Sequence, residues 1–222
     1  MLKDKKAVIF DLDGSLVDSM WIWMEVDDDY MKKYNLVMPD NFHAAIEGMS
    51  YTETAQYFLD TFPKLDCSVE EIKAEWLAMS FEKYTTKVQL KTGARDFLEY
   101  ATDADIKLGI ATSNTRELVE AVLDSLHISD KFTSICTSCE VAAGKPAPDV
   151  YLKAADNLRV EPANCLVFED VPAGIMAGKN ANMTVCAVDD DFSRPLENKK
   201  KELADYFIHT YYDIANKTYE IL

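Results

Sequence analysis

The hydrophobic pattern divides the chain into two styles. Ala7 to Phe10 is a short apolar run, too brief for a helix and suited to a buried parallel strand. From Ser19 to about Val88 the apolar positions recur at helical spacing instead. Met20-Trp21-Ile22-Trp23-Met24 is apolar on every side, and Asp27, Asp28 and Asp29 interrupt it before Tyr30, Met31 and Tyr34. Pro39-Asp40 restarts the chain. Ser50-Tyr51-Thr52-Glu53 and Ser68-Val69-Glu70-Glu71 both read as capping boxes, the first opening a helix through Phe62, the second a helix carrying Ile72, Trp76, Met79 and Phe81. No convincing strand lies in this stretch.

From Leu90 helices alternate with short β-rich runs, as in a doubly wound sheet. The pattern predicts helices over Arg95–Ala101, Arg116–Leu126, Asp149–Leu158 and Pro172–Ala181, the last with proline in its first turn. Strands are predicted at Lys107–Ala111, Ser134–Thr137, Cys165–Phe168 and Thr184–Val188, and beyond Asp191 a helix, a short strand at Tyr206–Ile208 and a terminal helix. The expected architecture is an α/β fold with a doubly wound parallel sheet built from residues 1–18 and 89–222. An all-helical subdomain, residues 19–88, is inserted after the first strand.

Composition narrows the classes of partner. The 222 residues carry 23 Lys and Arg against 39 Asp and Glu, a net charge of −16, which argues against nucleic acid and anionic membranes. An anionic small substrate stays open, because local charges and a bound metal reverse the field inside a pocket. The basic start of the chain lacks the apolar stretch of a signal peptide and no window is long enough to span a membrane, so a cytoplasmic location is expected. Five cysteines, an odd number, then read as reduced thiols. Cys136-Thr-Ser-Cys139 has zinc or redox spacing, but no second pair answers it, and the expectation is of incidental thiols.

The chemistry gathers at the predicted strand ends, where open parallel sheets bind their ligands. After the first strand come Asp11 and Asp13, alternate residues able to share one face, then Gly14 for a sharp turn. Two carboxylates so close imply a metal, a proton donor or both. Thr112-Ser113-Asn114 offers hydroxyls and backbone N–H groups to an anion ahead of a helix, or else supplies that helix with an N-cap from Ser113 or Asn114. Lys145 stands between Gly144 and Pro146, whose restricted backbone would aim it. Glu169 and Asp170 put two more acids at a strand end, completing an oxygen-ligand site suited to Mg²⁺.

In this order the four stretches resemble the motifs of the haloacid dehalogenase superfamily of phosphohydrolases. The helical insertion resembles the branch that includes β-phosphoglucomutase and phosphoglycolate phosphatase. Ser15 stands where threonine is commoner, Cys139 precedes Glu140 where aspartate is frequent, and Asn182 replaces a frequent glycine; none of these touches a catalytic role.

The resemblance implies Asp11 as nucleophile, Asp13 as acid and base, and Lys145 as the cation holding both nucleophile and phosphoryl group. It further implies a phosphate cradle from Thr112, Ser113, Asn114 and Lys145, and a Mg²⁺ site from Asp11, Asp13, Glu169 and Asp170. Substrate selection would fall to the helical insertion, through Trp23, Met49 and Tyr51, while Met20, Trp21 and Met24 are expected to be core between its helices. Trp23 and Tyr51 occupy the places where the mutase carries a histidine and an arginine that hold a second phosphate. A phosphatase acting on phosphorylated small molecules is therefore expected rather than a sugar phosphomutase. A third reading is a non-catalytic phosphate-sensing or interaction protein.

Overall fold

The computed structural model describes residues 1–222. Its centre is a seven-stranded sheet: β1 (Ala7–Phe10) lies between β4 (Lys107–Thr112) and β6 (Cys165–Glu169). Outside β4 sits β5 (Ser134–Thr137). Outside β6 come β7 (Thr184–Val188), β8 (Tyr206–Ile208) and β9 (Glu220–Ile221). All neighbours pair in parallel except β8 and β9. The antiparallel β9 departs from the expected all-parallel sheet, because two residues at the end of the chain are too few to show a period.

Every β1 residue is fully buried, as a strand covered on both faces requires. α5 (Ala94–Asp103), α6 (Arg116–Ser125), α7 (Asp149–Leu158), α8 (Pro172–Asn180), α9 (Glu197–Leu203) and α10 (Tyr212–Asn216) surround the sheet. On one face Phe10 stacks on Phe168 with ring centroids 5.4 Å apart, and Phe97, Phe132 and Tyr211 close around them edge-on or tilted. Tyr211 also donates to the Ser15 carbonyl at 3.0 Å, which ties this aromatic cluster to the loop that follows β1.

Between β1 and α5 the chain forms four helices, α1 (Met20–Lys33), α2 (Phe42–Ile46), α3 (Tyr51–Thr61) and α4 (Val69–Thr86). Both capping boxes are present, with Ser50 and Ser68 accepting from the N–H groups of Glu53 and Glu71 and the glutamates returning the bond. α1 buries Ile22, Val26, Tyr30 and Met31, a stripe at helical spacing that meets Phe58 and Trp76. Where the chain enters and leaves these helices, β2 (Val17–Asp18) pairs antiparallel with β3 (Gln89–Leu90). This ribbon was not expected from the sequence, since two-residue strands carry no alternation. No helix is long and apolar enough to cross a membrane.

Replacing Phe10 by alanine should remove the centre of the aromatic cluster and cost about 3–5 kcal/mol. Urea unfolding should then show a lower midpoint with an unchanged m-value.

Candidate active site

The peptide after β1 continues the sheet for one residue, with the Asp11 N–H donating to the Phe168 carbonyl at 2.9 Å. The chain then turns back on itself: the N–H groups of Leu16 and Val17 both donate to the Leu12 carbonyl. Gly14 makes this possible at φ +81°, and a side chain there would run into the carboxylate of Asp170. Asp11 and Asp13 leave the turn in different directions. Asp11 faces the sheet residues, where its Oδ1 accepts from Lys145 Nζ at 2.6 Å. Asp13 faces the helical segment and accepts from Ser19 Oγ at 2.5 Å, from the Tyr84 hydroxyl and from Asn114 Nδ2 at 2.9 Å.

Lys145 is buried and donates equally to Asp11 and to Glu169 Oε1, each at 2.6 Å. Glu169 is fixed in place: the Tyr151 hydroxyl shares Oε1 at 2.9 Å, and Oε2 accepts from the N–H groups of Asp170 and Val171. Gly174 passes so close that any side chain there would displace this carboxylate. Burial opposes the Lys145 ammonium, yet Asp11 and Glu169 outweigh it and hold its pKa above the usual lysine value. Burial is also the largest influence on Asp11 and pushes its carboxyl up to about 8 despite Lys145, with Glu169 and Asp13 adding to the rise. Asp170 is raised as well, by burial and then by Glu169 and Asp11.

The turn after β4 is placed by its own hydrogen bonds. Thr112 Oγ1 accepts from the Asn114 N–H at 3.0 Å, and the Asn114 carbonyl oxygen of the side chain accepts from Thr115 N–H at 2.7 Å. The N-cap of α6 is Thr115, which accepts from Leu118 N–H, so neither Ser113 nor Asn114 serves that helix. Thr112 and Ser113 line the cavity, and Asn114 divides its amide between Asp13 and Tyr84. The helical segment docks here: Ser113 accepts from the Tyr51 N–H at 3.1 Å and donates to the Gly48 carbonyl at 3.3 Å. Nearby, the Glu47 carboxylate accepts from the Ala173 N–H at the start of α8, at 2.9 Å.

Between the helical segment and the sheet lies a cavity of about 460 Å³. Asp11, Asp13, Thr112, Ser113, Asn114, Lys145, Glu169 and Asp170 line its floor, and Trp23, Met49 and Tyr51 its opposite wall. Met20 and Met24 line it too, rather than packing between helices as expected, and Met24 is 49% exposed. An all-apolar helical turn does not show which side will meet a neighbour; that is settled by the Ile22, Val26, Tyr30 stripe. Trp21 turns away and donates to the Asp18 carbonyl at 3.1 Å. Sequence reasoning missed Ser19, Tyr84, Asp27, His43 and Phe192, all at or around the cavity. Tyr84 reaches Asp13 across 71 residues of sequence, and no local spacing announces such a contact.

The family model for haloacid dehalogenase-like hydrolases matches residues 8–188. The chain belongs to the haloacid dehalogenase-like hydrolases. It is 31% identical to the bifunctional riboflavin kinase/FMN phosphatase of Arabidopsis thaliana over 96% of this chain and 55% of that protein, so it spans about half the relative's length. To a putative phosphatase of Bacillus subtilis it is again 31% identical, over 80% of each chain. The crystal structure of β-phosphoglucomutase from Clostridium difficile superposes with a TM-score of 0.79 at 24% identity, covering 96% of both chains, a likeness of fold. This hydrolase is a phosphohydrolase, in keeping with the phosphatases among its relatives.

Within the hydrolase, ligand atoms of Asp11, Glu169 and Asp170 lie within 4.8 Å of one another, all buried. Asp170 Oδ1 accepts from Ser15 at 3.0 Å, but its Oδ2 is buried without any partner. An orphaned carboxylate oxygen in a nest of acids fits a hard divalent cation. Asp13 was expected among these ligands; its carboxylate is not in the cluster, because Ser19, Tyr84 and Asn114 draw it to the other side of the turn.

In the metal-free protein Asp11 and Asp170 both sit above the ordinary carboxyl value of 3.8. A raised carboxyl contributes stability fully below that ordinary value and loses the contribution as pH climbs through the raised one. Thermal stability of the metal-free protein should therefore fall between about pH 5 and pH 8, and added Mg²⁺, which binds deprotonated ligands, should restore more at the higher pH. Asp170→Asn should flatten both trends. Melting curves at several pH values test this, and a Mg²⁺ shift that ignores pH would contradict it.

Proposed function

We propose that this protein is a Mg²⁺-dependent phosphatase that hydrolyses phosphate monoesters of small metabolites through an aspartyl phosphate on Asp11. Residues 19–88 act as a cap over the sheet part, residues 1–18 and 89–222. The observation that carries the reading is the division of labour on one tight turn: Asp11 is fixed by Lys145, and Asp13 is held separately among hydroxyl and amide donors.

Mg²⁺ held by Asp11, Glu169 and Asp170 would relieve the repulsion between an entering phosphate dianion and the carboxylates. Lys145 offsets the charge of Asp11, while the Thr112 hydroxyl and the Ser113 N–H, which no backbone carbonyl engages, orient the phosphoryl oxygens. Asp11 attacks phosphorus as the bond to the leaving oxygen breaks, and Asp13 gives that oxygen its proton. Asp13, now a carboxylate, takes a proton from the water that attacks the aspartyl phosphate, which frees phosphate and restores Asp11. Ser19, Tyr84 and Asn114 hold the Asp13 carboxylate in place. To act as the acid, Asp13 must turn off Ser19 or Tyr84 toward the leaving group.

Hydrolysis is favoured over mutase chemistry because a bisphosphate must be gripped at both ends while it turns round. Lys145 is the only lysine or arginine lining the cavity, and Asp11 and Glu169 already engage it. A merely phosphate-sensing protein would have no use for a separately held acid and base opposite the nucleophile.

Release of p-nitrophenol from p-nitrophenyl phosphate should require Mg²⁺, stop on chelation and resume when Mg²⁺ is returned. Asp11→Asn keeps the shape and removes the nucleophile, so turnover should vanish while the circular dichroism spectrum is kept; retained turnover would refute the mechanism. Trp23→Ala should lower kcat/KM for the best substrate by about tenfold, on the scale of a lost buried contact, without altering the Mg²⁺ requirement.

A further inference from the structure

The phosphoryl end of the cavity is saturated with charge, but its far end holds one polar pair. Asp27, on α1, lines the cavity and is 9% exposed, yet its carboxylate accepts no hydrogen bond from the chain. Its only charged partner is His43 Nε2 at 3.6 Å, beyond hydrogen-bond reach, and that nitrogen is itself buried without a partner. The Asp27 side chain keeps 12% of its surface open beside the cavity it lines, so a donor that enters the cavity can reach the carboxylate. Burial raises its pKa, the direction expected of an acid short of donors. The other acid on this side, Glu47, is already served by the Ala173 N–H.

α1 also supplies a ruler. Ser19, just before the helix, touches Asp13, and Met20, Trp23, Met24 and Asp27 follow one face of α1 along the cavity. At 1.5 Å per residue Asp27 lies about 12 Å along the axis from Ser19, so a leaving group that reaches it extends on the order of 10 Å beyond Asp13. Along α1 the intervening wall is apolar, from Met20, Trp23 and Met24. Trp23 packs on Tyr51 at 5.8 Å, and Phe192, from the loop after β7, meets the His43 ring at 5.5 Å.

We infer that Asp27, braced by His43, is a specificity-determining residue that accepts a hydrogen bond from the remote end of a long, ring-bearing leaving group. The substrate class is a monophosphate of nucleoside or disaccharide length whose alcohol is uncharged or cationic and ends in an N–H or O–H donor. Alcohols carrying a second phosphate or a carboxylate at that end are rejected, since they would face the like charge of Asp27 while His43, the one cationic group there, is already turned to Asp27. This inference rests on the phosphatase reading of the same site and adds the identity of the leaving group.

Steady-state kinetics on two long probes, uridine 5′-monophosphate and trehalose 6-phosphate, and two short ones, glycerol 3-phosphate and p-nitrophenyl phosphate, test it. The parent should prefer a long probe. Asp27→Ala should lower kcat/KM for that probe by about tenfold or more, mainly through KM, and leave both short probes within about twofold. Asp27→Asn, which keeps the shape and one acceptor oxygen, should fall between. A parent preference for the short probes, or an Asp27→Ala effect that is equal on all four or absent, overturns the inference while leaving the phosphatase reading intact. If the parent releases phosphate from none of them, the phosphatase reading fails. Titration calorimetry of the same probes against parent and Asp27→Ala then decides the selector alone: weaker binding of the long probes in the variant supports it, and equal binding overturns it.

Discussion

The site is built around one desolvated cation. Lys145, 5% exposed, can stay charged in the interior only because Asp11 and Glu169 meet it at 2.6 Å on either hand. Those two acids must therefore be neighbours, and the strand order makes them so: β1 and β6 run side by side in parallel with Phe10 beside Phe168, so each strand delivers its next residue to the same edge. The glycines at positions 14 and 174 follow from the same demand, since the carboxylates fill the space a side chain would need. Even the aromatic cluster beneath the sheet takes part, as Tyr211 holds the Ser15 carbonyl while Ser15 holds Asp170. Packing and electrostatics are thus one problem here, and moving any of these elements would leave a buried charge without its counterpart.

Such an arrangement leaves its trace in the sequence where the chemistry is local. Short apolar runs ending in acids or hydroxyls mark β1, β4 and β6, and two capping boxes mark α3 and α4. The trace fades where an outcome depends on a distant partner. Asp11 and Asp13 look equivalent as a spaced pair, and only the placement of Ser19, Tyr84 and Asn114 sends one to the cation and the other to a neutral network. The same holds for Ser113 and Asn114, credible N-caps until Thr115 takes that place, and for the apolar turn at Met20–Met24, whose inward side is chosen by Phe58 and Trp76 from other helices. Two-residue strands escape notice because a period of two cannot be seen in two residues.

The cavity joins two environments with opposite requirements. Its sheet side concentrates charge and answers every carboxylate there except Asp170 Oδ2 with a partner, which fixes geometry and leaves little freedom for variation. Its helical side is mostly apolar, with Met20, Met24 and Met49 offering contacts that tolerate changes of shape. The two sides share one hydrophobic cluster, which runs from Val8 and Phe10 of β1 and Leu118 of α6 to Ile22, Trp76 and Tyr84 of the helical segment, and polar contacts at Ser113 and Ala173 fix the rim of the cavity on top of it.

The ribbon of β2 and β3 gives that division a historical meaning. Because Val17 pairs with Leu90 and Asp18 with Gln89, the polypeptide departs from the sheet and comes back to it through adjacent positions, about 5 Å apart as neighbouring strands are. A stretch attached in this way can be lengthened, traded or lost in a single genetic event without changing the register of any strand in the larger sheet, and rejoining its ends requires only a short closure. Such an exchange would carry Ser19 and Tyr84 with it, so the incoming stretch would have to supply its own donors to Asp13.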